Sequence, residues 1–271
     1  MGKLIPVSKV DHAAKKWRRP DDYSFVSAQP IVPLAFTEFS RAAVSMPIAF
    51  VAVQGRYVPV ALMSPISGRN LFVGPSGQWL GPFMPATVAA YPFCLSKLEG
   101  SAGLVLCIDE DSITPDASGL NFFDSNGNSS PEVTAVLERL KPVEAGRAFT
   151  EKAMAALVEA DLIQPWPLKV SVDGAPADTQ IMATSDLYRV DEARLNVLSD
   201  ESFLKLRTSW ALPLAYLQLL SMGLTSLFPQ LMRLQKQLAP PQQEQRAPAH
   251  QLPPNLDEFF AAAENETVRF K

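Results

Sequence analysis

The chain is poor in the residue types on which most recognisable enzyme sites depend. It has only two histidines, His12 and His250, and neither has a second histidine, a cysteine or an acid at metal-ligand spacing. Without a histidine beside a nucleophile, the common Ser-His-Asp and Cys-His arrangements are disfavoured. The sequence has no GxxxxGK[ST] and no GxGxxG segment, which excludes the usual phosphate-binding loops.

Cysteine is equally scarce. Cys94 and Cys107 both lie in apolar segments, which indicates a pair of buried free thiols in a reducing compartment. The alternative is a disulfide between them. The N-terminal residues contain no apolar stretch of signal-peptide length. We therefore expect a cytoplasmic protein, with surface association only by a route other than Sec export.

An excess of basic residues is also missing. The chain has 24 lysines and arginines against 28 aspartates and glutamates, a net charge of −4. Because binding to a phosphate backbone needs a basic face, we expect no nucleic-acid partner. The one basic cluster, at residues 15–19, is balanced by Asp21 and Asp22 and indicates a solvated surface segment.

Charged residues are absent from residues 208–232, a run long enough to span a membrane. Two prolines and two glutamines interrupt the run, and these residues are unfavourable in hydrocarbon. The pattern favours two buried helices, 214–222 and 224–238, with a turn at Gly223. It argues against membrane association, with peripheral membrane binding through this run as an alternative.

What the chain does contain is a set of apolar segments typical of an α+β protein. Paired strand-like segments within residues 46–80 predict antiparallel hairpins, mainly in the N-terminal half. Ser129 and Glu132 have capping-box spacing before a helical pattern, which stops at Pro142 and resumes over 144–162. Helices are therefore expected mainly in the C-terminal half.

The composition also predicts how the chain is divided. We expect one domain over residues 1–235, in which residues 1–30 form an extended leader that wraps the core. Residues 236–254 are rich in proline and glutamine and predict a flexible linker. Residues 255–271 follow as a short apolar tail, so the C-terminal extension as a whole is expected to be flexible.

The acids Asp109, Glu110 and Asp111 directly follow an apolar strand-like segment. If the strand continues, alternate side chains share a face, so Asp109 and Asp111 point together. They then form a divalent-cation site, with Asp124 and His12 as further candidate ligands, or they share a proton. The alternative is a strand end at which the acids accept hydrogen bonds from turn amides.

Several aromatic side chains are candidates for ligand binding because they lie beside proline or glycine, as in Trp-Leu-Gly-Pro at residues 79–82. Carbohydrate and peptide sites use exposed rings of this kind. The alternative is that these rings fill corners of the hydrophobic core. The candidates are Trp17, Tyr23, Trp79, Tyr91 and Trp166.

Short motifs run along the chain in a consistent order: Lys-Lys-Trp-Arg-Arg-Pro at 15–20, Met-Pro-Ile-Ala-Phe at 46–50, Cys-Ile-Asp-Glu-Asp-Ser at 107–112 and Pro-Trp-Pro-Leu at 165–168. Together they resemble the SapC-like family of proteobacterial proteins over residues 3–235. The family is named for a surface-layer-associated protein. The resemblance implies an accessory role connected with the cell surface or nutrient uptake, and it brings no established catalytic residues.

We therefore expect a non-catalytic accessory or interaction protein. A protein partner is expected to bind the apolar tail through Leu256, Phe259, Phe260 and Phe270. The alternative is a metal-dependent enzyme, a hydrolase or an oxygenase, that uses the acidic cluster at 109–111. A divalent metal is the one cofactor that the sequence indicates.

Overall fold

The computed structural model describes residues 3–97, 103–171, 180–182 and 187–239. The strands are β1 (Leu4–Pro6), β2 (Lys16–Trp17), β3 (Ile31–Pro33), β4 (Ile48–Val53), β5 (Arg56–Leu62), β6 (Phe93–Lys97), β7 (Leu104–Asp109), β8 (Ile113–Thr114), β9 (Leu120–Asn121), β10 (Ile163–Pro165), β11 (Lys169–Ser171), β12 (Gln180–Met182) and β13 (Leu187–Val190). The helices are α1 (Lys9–His12), α2 (Phe39–Ala42), α3 (Ala86–Ala89), α4 (Pro131–Glu159), α5 (Glu192–Asn196), α6 (Asp200–Thr208), α7 (Ala211–Ser221) and α8 (Leu227–Leu238). Strands lie mainly in the N-terminal half and helices mainly in the C-terminal half, so the predicted α+β class is confirmed.

The largest sheet is antiparallel and has the strand order β10-β13-β4-β5-β3. β4 and β5 form the predicted hairpin, whose two-residue turn places Gln54 and Gly55 at φ values of 50° and 77°. Pro59 is tolerated inside β5 because the ladder to β3 ends beside it, and its carbonyl accepts the N–H of Leu34 at 3.0 Å.

α4 is one continuous helix of 29 residues that passes through Pro142, so the expected interruption at this proline is wrong. The Oγ of Ser130 caps the helix by accepting the N–H of Val133 at 3.2 Å. The cap is therefore Ser130 rather than Ser129. Buried apolar side chains lie on both sides of the proline, and their packing outweighs the ~3 kcal/mol that a proline costs inside a helix.

The N-terminal residues join two smaller sheets. β1 pairs with β7 in the order β1-β7-β6, and β2 lies between β8 and β9. Trp17 on β2 is only 1% exposed and belongs to a second apolar cluster with Phe93, Ile108 and Phe122. This second cluster also contains Val136 of α4, and it supports the candidate site described below.

The charge-free run forms α7, a 3-10 turn at Met222–Ser226, and α8, close to the two predicted helices. Within the described ranges, Ala211–Leu238 is the one helical stretch with the length and composition to cross a membrane, and 33% of its most apolar window is buried. Gln218 and Ser221 of α7 are fully buried and bond to the main sheet. Those bonds explain why polar residues occur inside this run.

The chain divides into two units, Met1–Leu238 and Ala239–Lys271, and every element named above belongs to the first. α8 continues to Leu238, so the predicted domain boundary after residue 235 falls inside a helix. The predicted linker beyond residue 239 and the predicted tail at 255–271 lie outside the described residues.

Candidate functional site

The acidic cluster lies at the end of a strand. β7 ends at Asp109, and Glu110–Ser112 form a 3-10 turn. Asp109 is 1% exposed, whereas Glu110 and Asp111 are exposed. The inference that Asp109 and Asp111 share one strand face is therefore wrong, because the strand stops before alternation can apply.

Both carboxylate oxygens of Asp109 are engaged in hydrogen bonds. Oδ1 accepts the N–H of Asp111 at 3.2 Å, and Oδ2 accepts the hydroxyl of Tyr91 at 2.9 Å. This is the arrangement that the alternative interpretation predicted, an acid that accepts a turn amide at a strand end. Such bonds compensate the burial of a carboxylate.

The four proposed metal ligands are not brought together. No group of three or more His, Cys, Asp or Glu side chains in the part of the chain that the structure describes is arranged to hold a metal. The Oδ1 atom of Asp124 accepts the N–H groups of Asn126 and Asn128 at 2.9 and 2.8 Å in a polar turn. His12 is buried against Phe122, with 5.0 Å between the two ring centroids. The divalent-metal site stays a prediction from the sequence.

Three of the five candidate aromatic residues line one cavity of about 200 Å³. Trp17, Tyr23 and Tyr91 lie in its wall, with Arg19 from the segment after β2 and Arg139 from α4. We call this cavity the aromatic pocket. Asp21, Asp22, Phe25, Val88, Ala89, Ala135, Val136 and Pro20 complete its lining.

Tyr91 is held in place by two contacts, one at its ring and one at its hydroxyl group. Its ring stacks on Phe25 with a centroid distance of 4.0 Å and an interplanar angle of 12°, while its hydroxyl bonds to Asp109. Burial, and then the hydrogen bond to Asp109, raise the pKa of Tyr91 above its ordinary value. The phenol therefore stays protonated and acts as a donor.

The two arginines bring positive charge to the pocket. The Arg19 guanidinium carbon lies 5.8 Å from the centroid of the Trp17 ring, within the range of a cation–π contact. Arg139 donates from Nη1 to the carbonyl of Ala89 at 3.3 Å. From the sequence, Arg19 belongs to a cluster expected at the solvated surface, and nothing local indicates that Arg139 lines the same cavity.

Asp22 places the segment that carries Tyr23. Its Oδ1 accepts the N–H of Ser24 at 2.8 Å, and this bond lowers the pKa of the Asp22 carboxyl. The N–H of Tyr23 donates to the carbonyl of Gly77 at 2.8 Å. Gly77 has a φ of +78°, and a Cβ there would lie 2.3 Å from the Cγ of Asp22, so only glycine fits this approach.

The indole N–H of Trp17 is enclosed by protein. It has no hydrogen-bond acceptor among the described residues, and the Phe93 ring packs against the indole at 4.7 Å and 85°. Because Nε1 is sealed from solvent and the side chain is 1% exposed, Trp17 helps to shape the wall of the pocket and offers it no donor.

The other two candidate aromatic residues lie elsewhere. Trp79 donates from Nε1 to the carbonyl of Phe83 at 3.0 Å and contacts Tyr23 edge to face at 6.0 Å. It therefore supports the pocket from behind. Trp166 packs against the main hydrophobic core, as the core-corner alternative predicted for it.

A second concave surface lies between α4 and β5, and none of the predicted site residues lines it. It consists of adjoining cavities of about 340 and 520 Å³ that share Tyr57, Glu151 and Met154. Its lining is mainly apolar, and Arg147 forms ion pairs with Glu144 and Glu151 along it. The lining also contains Arg56 and Glu159, so positive and negative side chains alternate with its apolar surface.

Comparison with known proteins finds one match. The family model described as SapC matches residues 7–227, which include every residue of the aromatic pocket. No curated protein and no solved structure matches the chain.

Proposed function

The chain belongs to the SapC family, and from this premise we propose that it is a non-catalytic accessory protein that acts by binding. The aromatic pocket is the proposed binding site. The single observation that carries the proposal is the convergence of Trp17, Tyr23 and Tyr91 with Arg19 and Arg139 on one cavity. Three separate segments of the chain supply these five side chains.

The lining of the pocket suits a small polar ligand. The half-buried rings of Tyr23 and Tyr91 provide apolar contact, and Arg19 and Arg139 provide planar donors for a carboxylate. Asp21 and Asp22 add negative charge at the same cavity. A ligand that carries both a carboxylate and an ammonium group, such as a free amino acid, matches this mixture better than a simple anion does.

The protonation states of the pocket favour binding over catalysis. Tyr91 has a raised pKa and stays protonated, and Asp22 has a lowered pKa and stays ionised. A general acid or base works best with a pKa near the working pH. Neither group is tuned in that direction, so both serve better as fixed hydrogen-bonding groups.

The finer role rests on the family. The resemblance to surface-layer-associated SapC proteins supports an accessory task connected with the cell surface or nutrient uptake, carried out from the cytoplasm. A partner protein would bind the tail at Leu256, Phe259, Phe260 and Phe270, which lie outside the described residues. The pocket and the tail would then be two separate recognition elements of one adaptor.

Thermal unfolding in the presence of free amino acids tests the proposal, with neutral monosaccharides as probes without charge. We expect at least one amino acid to raise the Tm of the wild-type protein. The double variant Arg19→Met and Arg139→Met should lose that shift, because it keeps the aliphatic stems and removes both charges. Arg207→Met, at an exposed position on α6, is the matched control and should keep it.

If the shift persists in the double variant, the pocket is not the site. If no probe stabilises the wild-type protein, the small-ligand part of the proposal is wrong. The accessory role would then rest on the tail alone.

A further inference from the structure

Cys94 and Cys107 face each other across two strands. They are directly opposite in the antiparallel register of β6 and β7, and both are free thiols. Directly opposed residues on neighbouring antiparallel strands project to the same face of a sheet. Cys107 is buried and Cys94 is half-buried, so solvent reaches the pair from the side of Cys94.

The register places the Cα atoms of the two cysteines within the range found in disulfides. Asp109 donates its N–H to the carbonyl of Pro92 at 3.0 Å, which makes Pro92 and Asp109 a hydrogen-bonded pair. Cys94 and Cys107 lie two residues further along and are therefore of the same type. Such pairs have Cα atoms about 5.5 Å apart, inside the range of ~4.4–6.8 Å found for disulfides.

We propose that Cys94 and Cys107 are a reversible redox site that closes to a cross-strand disulfide under peroxide. In the first step the Cys94 thiol gives up its proton and the thiolate attacks hydrogen peroxide, which breaks the O–O bond and leaves a sulfenic acid on Cys94; the hydroxide that leaves takes up the released proton and becomes one water. The Cys107 sulfur then attacks the sulfenic sulfur, forms the S–S bond and releases the second water. Two thiols lose two electrons and two protons in all, and one peroxide is reduced to two waters.

The surroundings favour a slow and reversible reaction. Burial raises the pKa of both thiols, and the nearby Cys107 and Asp109 raise that of Cys94 further, so little thiolate is present at neutral pH. Cβ atoms of a hydrogen-bonded pair lie about 5.5 Å apart, whereas a disulfide needs ~3.5–4.5 Å. The strands must therefore draw together, and a strained bond of this kind is more easily reduced.

The bond would form beside the aromatic pocket. Pro92 and Asp109 are the next hydrogen-bonded pair along the same two strands, and Tyr91, which lines the pocket, bonds to Asp109. Closing the disulfide would change the spacing of β6 and β7 next to this contact. The redox site stands on its own geometry and does not depend on the proposed ligand.

The experiment treats the purified full-length protein with hydrogen peroxide, alkylates the remaining thiols and measures the intact mass. Because the chain has only two cysteines, an intramolecular disulfide leaves no alkylated thiol and removes two hydrogens. Peptide mapping should join the segments of Cys94 and Cys107, and dithiothreitol should restore both thiols. Cys94→Ser should leave Cys107 reduced under the same treatment.

The same reaction in concentrated urea shows whether the folded register is responsible. We expect the cross-linked fraction of the oxidised chains to be several-fold higher in the folded protein than in urea, because the raised thiol pKa slows the first step in the fold and only the second step depends on the register. Sulfinic acid on Cys94 without a cross-link, disulfide-linked dimers alone, or an equal cross-linked fraction in urea would each overturn the proposal. The comparison uses the wild-type protein, so it stands even if the serine variant folds poorly.

Discussion

The hydroxyl of Tyr91 donates a hydrogen bond of 2.9 Å to Oδ2 of Asp109. Tyr91 lines the aromatic pocket, and Asp109 is the first and only buried acid of the cluster at 109–111. Two features that the sequence suggests as separate sites are therefore parts of one unit. The acid holds the phenol in place, and the phenol satisfies a buried carboxylate.

Replacing Tyr91 by phenylalanine removes this donor and keeps the ring that stacks on Phe25. We expect a loss of ~1–3 kcal/mol in the free energy of unfolding, since a buried carboxylate oxygen loses a partner. Urea denaturation measures it. Tyr216→Phe, on the exposed surface of α7, is the control and should change stability by less than ~0.5 kcal/mol. Equal stabilities for the two variants would contradict the assigned role.

Gln218 occupies the place where two strands of the main sheet stop pairing. β13 and β4 pair at Leu187 with Val51 and at Tyr188 with Phe50. Beyond these pairs the Gln218 side chain accepts the N–H of Val190 at 3.0 Å and donates to the carbonyl of Ile48 at 3.1 Å. One side-chain amide thus replaces a missing rung of the ladder.

Gln218→Leu should destabilise the protein by ~2–5 kcal/mol, because it leaves one buried N–H and one buried C=O without their partner. Thermal or urea unfolding measures the loss. Gln237→Leu, at an exposed position near the end of α8, changes the same residue types without this burial and should be nearly neutral. A leucine at 218 that leaves stability unchanged would show that water or a shifted backbone takes over these bonds.

The features that could be predicted from the sequence are those with local causes. The turn at Gln54 and Gly55 needs only positive φ, and the break between α7 and α8 coincides with Gly223. The uninterrupted helix through Pro142 could not be predicted, because its apolar packing outweighs the local preference of proline.

In the candidate site, too, features with local causes can be predicted and contacts between distant segments cannot. Asp109 and the aromatic candidates can be recognised from their neighbours in the sequence. The presence of Arg19 and Arg139 at one cavity depends on chain segments that are far apart, and so does the hydrogen bond between Gln218 and Ile48, 170 residues away. The sequence leaves a continuing strand and a strand end both open at the acid cluster, because the partner of Asp109, Tyr91, lies 18 residues earlier on another segment.

Glu38 is a buried carboxylate outside both candidate sites. It is 6% exposed, and its two oxygens accept the N–H groups of Ala35 at 3.0 Å and Ala86 at 2.8 Å. Burial raises its pKa above 4.5, against the lowering effect of these two amides and of Arg41. Glu38→Gln replaces one acceptor by a donor, so one backbone N–H should lose its bond, at a cost of ~1–3 kcal/mol near pH 4.

The pH dependence of this variant has a definite sign. Since the folded pKa lies above the unfolded one, the folded state holds the Glu38 proton more tightly, and wild-type stability falls as pH rises from 4.5 through the raised value. Glutamine does not titrate. The stability advantage of the wild-type protein over Glu38→Gln should therefore shrink across this window and stay level above it. An advantage that grows with pH there would contradict a raised pKa.

The proposed partner-binding tail can be removed without cutting the folded domain only if the truncation lies after the end of α8. Gln235 in that helix donates from Nε2 to the carbonyls of Leu71 and Val73 and accepts from Arg69. A truncation after residue 235 would remove the last turn next to this network. A truncation after residue 239 leaves it whole.

We expect the protein that ends at residue 239 to keep its free energy of unfolding and to lose the proteins that co-purify with the full chain. Replacing Phe259, Phe260 and Phe270 by serine in the full-length chain is the matched control, because it keeps the length and removes the apolar anchors. Both variants should lose the same proteins if the phenylalanines make the contact. Unchanged co-purification in both would remove the tail from the proposed function. Loss only on truncation would assign the contact to the backbone or to other residues of the segment.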